Sequence, residues 1–105
     1  MVMFLSIGQC PEVEKDTDYQ GNDLDAVEGI LDNLEQCRQA CIARPVCVGI
    51  TFAKTFTIQK NCFLKSSWKP STKTESPFYD SQEITRACRD WLQGILLAYQ
   101  AFLCV

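Results

Sequence analysis

The chain has 105 residues, 47% hydrophobic and 22% charged, enough for one ordinary globular domain and no second core. Its formal net charge of −3 leaves no general excess of Lys and Arg to neutralise a nucleic-acid backbone. The absence of histidine removes His-dependent triads, Cys–His dyads, zincin motifs and Cys₂His₂ fingers, while seven cysteines in so short a chain favour a secreted disulfide scaffold.

Taken in chain order, Met1 to Gly8 are apolar but lack a basic leading segment, so they read as a signal remnant, a mis-called start or a first strand. An acidic, turn-rich stretch follows. Glu12, Glu14, Asp16, Asp18, Asn22, Asp23 and Asp25 surround Tyr19 and Gly21, a composition that suits loops and short strands. Asn33 is a good helix N-cap, with Glu35 in the first turn and Gln36 at the capping-box position. Leu34, Cys37, Ala40 and Cys41 then recur at helical spacing until Pro45 ends the run. Val46 to Ala53 is β-branched and aromatic, with Val48, Ile50 and Phe52 alternating against Gly49, Thr51 and Ala53, which predicts a strand.

A polar turn from Lys54 to Asn61 leads to a second strand, Cys62 to Lys65. Ser66 to Pro77 reads as a Ser/Thr/Lys/Pro loop, and Phe78 to Ser81 as a third strand. The tail Trp91 to Val105 has helical periodicity and a broad apolar face, but it is shorter than the roughly 18 apolar residues of a membrane span. The fold class is α+β, one helix packed on a small antiparallel sheet and stapled by disulfides. The expected division is an extension over 1–9, a domain over 10–88 and an apolar tail over 89–105.

Cysteine spacing is the sharpest signal. Cys37 and Cys41, four apart, project from one helix face and can reach two different partners. Cys47 lies within reach of Cys41 across the Pro45 turn, Cys62 can meet Cys37, and Cys10 and Cys88 bracket the rest. Six cysteines permit 15 connectivities, so spacing alone does not settle the pairing. The geometry favours Cys10–Cys88, Cys37–Cys62 and Cys41–Cys47, with Cys104 the odd one out. No Cys-x-x-Cys occurs, so staples outweigh zinc or redox chemistry. Each bridge in a domain this small contributes on the order of 2–4 kcal/mol.

Four ordered motifs carry a family resemblance: Asp18-Tyr19-Gln20-Gly21-Asn22-Asp23-Leu24, Glu35-Gln36-Cys37-Arg38-Gln39-Ala40-Cys41, Pro45-Val46-Cys47-Val48-Gly49-Ile50-Thr51-Phe52, and Asn61-Cys62-Phe63-Leu64-Lys65-Ser66. The series resembles the PAN/apple domain family from Cys10 to Cys88, with Ile50 and Phe63 departing from the usual residues and positions 89–105 outside it. The form of the first motif is similar to that of secreted lectins and microneme-type adhesins. The resemblance implies the same disulfide pairing and a secreted, non-catalytic module that binds a glycan or an extracellular protein in adhesion. The alternative it allows is a non-catalytic module of a larger secreted protease or other enzyme, which would also be the route to any membrane. A fold does not decide its ligand.

The acidic segment invites a calcium reading, but its spacing does not match an EF-hand loop, and turn formation with capping accounts for it. No metal, cofactor or nucleic acid is expected, and no nucleophile–base pair suggests an enzyme. Lys54, Lys60, Lys65, Lys69 and Lys73 form a basic half interleaved with Phe56, Trp68, Ser66 and Ser67. A solvated face is the plain reading of such a run. An exposed Trp beside Lys and Ser also offers sugars a ring-shaped plate with donors for hydroxyls or sulfates. The loop from Ser66 to Ser76, with the turn near Lys54 to Lys60, is therefore the expected ligand surface.

Overall fold

The computed structural model describes residues 10–54 and 59–103, with side chains described up to residue 94. The 1–9 extension, Phe56 and Cys104 lie outside the described residues. The elements run β1 (Thr17–Tyr19), β2 (Asp23–Ala26), α1 (Leu34–Ile42), β3 (Gly49–Ala53), β4 (Cys62–Lys65), a 3₁₀ turn (Pro70–Thr72), β5 (Lys73–Glu75), β6 (Tyr79–Glu83) and α2 (Arg86–Leu103). Four strands form one antiparallel sheet in the order β2-β4-β3-β6, and β1 pairs with β5 in a second, two-stranded sheet. The class is α+β with helices on antiparallel sheets, stapled by three disulfides.

Helix α1 starts where its cap residue dictates. The Asn33 side chain accepts from the Gln36 backbone N–H at 3.0 Å, and the Gln36 side chain accepts in return from the Asp32 N–H at 2.7 Å. One of the four orphan donors at this end, the Gln36 N–H, is thereby satisfied, and the N–H just before the cap is paired as well. Cys37 and Cys41 point from its inner face at the sheet, where Cys37 joins Cys62 and Cys41 joins Cys47. The remaining bridge joins Cys10 to Cys88, with Cα atoms 4.4 Å apart.

The sheet has two unlike faces because side chains alternate along each strand. Ile50 lies opposite Leu64 on one neighbour and Gln82 on the other, and Phe52 lies opposite Cys62. With Cys37, Cys41, Cys47, Ile84 and Cys88, these residues make the core beneath α1. On the other face Thr51 lies opposite Phe63 and Ser81, and Gly49 opposite Lys65 and Glu83. Ser81 shares a hydrogen bond of 2.8 Å with Thr51 and donates another of 2.8 Å to the Thr17 carbonyl. That contact anchors β1 over the second face.

Three sequence expectations change in detail. The strand expected from Val46 begins at Gly49, because Cys47 N–H donates to the Arg44 carbonyl and closes a turn, leaving Val46 exposed. The loop from Ser66 to Pro77 contains the 3₁₀ turn and β5. A second helix joins the first, and it starts at Arg86 rather than Trp91, since the Thr85 hydroxyl accepts from the Cys88 N–H at 3.1 Å in the manner of an N-cap. Leu92 packs against the core from that helix, and Arg89 donates to the carbonyls of Cys41, Ile42 and Cys47, closing off the end of α1.

Candidate functional site

Each lysine proposed for the basic face is best located by what it touches. The Lys54 ammonium lies 2.6 Å from Asp16 and 3.0 Å from Asp80, and these hydrogen-bonded carboxylates hold its pKa above the ordinary value. Lys60 reaches Glu28 at 3.2 Å, and Lys73 reaches Glu14 at 2.8 Å. Lys65 is not exposed at all. Only 3% of it is accessible, and its ammonium sits 2.5 Å from Asp23 and 3.1 Å from the Gly21 carbonyl. Lys69 is exposed and makes no ion pair among the described residues. The acidic N-terminal segment thus neutralises four of the five lysines one by one, so they do not act together as a basic face.

Trp68 also departs from expectation. Its ring is half-buried, stacked against Tyr19 with centroids 4.0 Å apart, and it lies so close to the backbone of Gly49 that a Cβ there would meet it at 2.2 Å. The buried Tyr19 phenol donates to both Glu14 oxygens at 2.9 and 2.8 Å, and burial, followed by the Glu14 hydrogen bond and charge, pushes its pKa up to about 12. Trp68 is therefore a wedge between the sheet and β1, with part of its ring taken up by Tyr19 and the Gly49 backbone.

The same face of the sheet carries a different concavity. Gly21 (φ 78°) and Asn22 (φ 57°) take the left-handed conformations that turn the chain from β1 into β2. That turn stands over the sheet and closes a groove of about 190 Å³, lined by Gln20 and Gly21 of the turn with Asp18 and Asp23 on either side, and by Thr51, Phe63, Lys65 and Tyr79 from the other strands. Strand alternation explains the strand contribution, since Thr51, Phe63 and Lys65 all face away from the Ile50–Leu64 core. Phe63 and Tyr79 are half-buried, so their rings stay partly accessible. Among the described residues, the side chains of Asp18, Gln20 and Tyr79 have no hydrogen-bond or ion-pair partner.

A larger cleft of about 550 Å³ lies between the end of α1 and the first turns of α2. Its Arg89 is already committed to the carbonyls that end α1, and Ile42, Pro45, Val48 and Ile84 supply aliphatic walls. The smaller groove has the better chemistry for recognition, because convergent polar groups without internal partners surround aromatic rings.

Of the residues expected to form the ligand surface, only Lys65 lines this groove, and there it is locked to Asp23. Asp18 enters the sequence reading only through the acidic segment, and the sequence does not single out Gln20, Thr51, Phe63 or Tyr79 as ligand-binding. The alternation Cys62-Phe63-Leu64-Lys65 carried part of the signal, since it sets Phe63 and Lys65 on the face away from the helix.

A model of the PAN domain matches residues 17–65, which span β1 through β4 and include most of the groove. No curated protein and no solved structure matches the chain. PAN domains are binding modules for proteins or carbohydrates, generally without catalytic activity, and disulfide-rich examples are typical of extracellular proteins. Among the described residues no helix is long and apolar enough to cross a membrane.

Proposed function

Residues 17–65 belong to the PAN domain family, and on that premise we propose that the chain is a secreted, non-catalytic recognition module that holds a carbohydrate or protein partner in the groove between the β1–β2 turn and the sheet. The observation that carries this reading is the set of Asp18, Gln20 and Tyr79 side chains without internal partners around the half-buried Phe63 ring. Unpaired polar groups in a concave site exchange water for ligand without breaking an internal bond, whereas the ion-paired lysines would each have to give up a carboxylate. Sugars or the side chains of a partner protein both fit such a surface. Adhesion is the role this reading supports, with the disulfides holding the module in an oxidising extracellular setting.

The test is a glycan and peptide array on the oxidised protein, followed by amide chemical-shift mapping of each hit. Ligands that move the amides of Gln20, Thr51 and Phe63 support the groove. Hits that move only amides around Lys54, Lys69 or the end of α1 place recognition elsewhere and overturn the assignment.

A further inference from the structure

Resting on the groove reading above, we infer that the groove selects an uncharged hexopyranose, bound without calcium and with its ring against Phe63, and that it rejects sulfated or carboxylated glycans. The observation is the charge state of its lining. The one cation there, Lys65, is buried and already shared between the Asp23 carboxylate and the Gly21 carbonyl. Asp18 is then left as a carboxylate that nothing among the described residues neutralises. An anionic ligand would meet uncompensated negative charge at close range, with no free ammonium or guanidinium in the lining to receive it.

A neutral sugar meets the opposite situation. Adjacent hydroxyls of a hexopyranose can both donate to the two oxygens of Asp18, giving charge-assisted hydrogen bonds. The Gln20 amide and the Tyr79 hydroxyl add adaptable donors and acceptors. The apolar C–H face of the sugar suits the accessible part of Phe63, which lies on β4 directly opposite Thr51. No group of carboxylates suited to a metal exists among the described residues. Outside the groove, Lys54, Lys60 and Lys73 already hold carboxylates, while Lys69 is exposed without an ion pair among the described residues and does not line the groove.

The probes are methyl galactosides, glucosides and mannosides on one side, and heparin and chondroitin sulfate on the other, titrated into the full oxidised chain by NMR. At least one neutral glycoside is expected to shift the amides of Asp18, Gln20, Thr51 and Phe63, equally at 25 and 250 mM salt and equally with a chelator present. Asp18→Asn is expected to weaken that binding by about tenfold or more, since hydrogen bonds to a charged group are at stake. Asp18→Lys is expected to abolish it and to admit the sulfated chains. The melting temperatures of both variants report whether the fold is kept, and Tyr79→Phe serves as a second variant, losing several-fold through one hydroxyl.

Heparin or chondroitin sulfate moving the groove amides of the natural sequence, with binding that fades as salt rises, overturns the inference but leaves groove recognition standing. A chelator that abolishes neutral-sugar binding also overturns it. A neutral glycoside that shifts only amides outside the groove defeats the groove reading itself. If no glycoside binds but a peptide shifts the groove amides, recognition survives with a protein partner and the sugar inference fails.

Discussion

The Trp68 indole lies where the side chain of any other residue at position 49 would have to be: a Cβ on Gly49 would come within 2.2 Å of Trp68 Cε3. The ring reaches the strand only because nothing projects from it there, and Tyr19 closes over the other side. Trp68→Ala is therefore expected to destabilise the protein by about 2–3 kcal/mol, near the lower end of aromatic truncations because the ring is only half-buried. Gly49→Ala should also destabilise it, by forcing the indole off the strand. Chemical denaturation of both variants checks this. A Trp68→Ala protein with unchanged stability would show that the wedge is dispensable.

Lys65 and Asp23 make an unequal pair, with side-chain exposures of 4% and 49%. Removing the exposed partner strands a buried ammonium, and removing the buried one leaves a carboxylate that water can reach. Asp23→Ala should thus cost more stability, about 1–3 kcal/mol, than Lys65→Met, whose stem fills the same apolar path. Urea midpoints of the two variants decide it, and the reverse order would mean that Gly21 alone satisfies the lysine.

The helix and strands around this pair were largely legible in the sequence, and the packing of the second sheet face was not. Asn33 and Pro45 declare the limits of α1 through backbone chemistry confined to a few residues. Ile50 and Phe52 alternate strongly enough to reveal β3. Trp68 gave no such local signal. It stands in a stretch of Ser, Lys and Pro, and its partners lie 19 and 49 residues earlier in the chain. Lys65 stands in a run of lysines whose plain reading is a solvated face, and the partner that lets it be buried is 42 residues away. β5 is exposed along its whole length, so no apolar alternation marked it, and only its pairing with β1 makes it a strand. The groove combines residues from β1, the turn, β2, β3, β4 and β6, a combination that no single stretch of sequence displays.

The three bridges close chain segments of very different length, with separations of 78, 25 and 6 residues. Loop-closure entropy then ranks them at about 4.5, 3.5 and 2 kcal/mol. Paired Cys→Ala replacements at 10/88, 37/62 and 41/47 should lower stability in that order. Thermal melts of the three double variants test the ranking. Loss at 41/47 matching that at 10/88 would point to packing of the buried sulfurs rather than chain entropy as the main contribution.

Tyr19 gives the fold a sensitivity to alkali. Its folded-state pKa of about 12 lies above the ordinary value of 10.0, so the unfolded chain ionises first as pH rises. The stabilisation it supplies is complete below pH 10 and declines as pH climbs through 12. Unfolding free energy measured between pH 9 and 12 should fall, and Tyr19→Phe should flatten that decline. Phenolate absorbance of the folded protein should show a late-titrating tyrosine that is lost in Tyr19→Phe.

The Cys10–Cys88 bridge brings two points 78 residues apart in the chain to a Cα separation of 4.4 Å, with the sheets and α1 looped out between them. Tension applied along a longer polypeptide through these two points would pass across a covalent bond and bypass the sheet. In the recognition role proposed above, such a fastening lets the groove keep its shape under load, so that the ligand contacts rather than unravelling of the fold limit the grip.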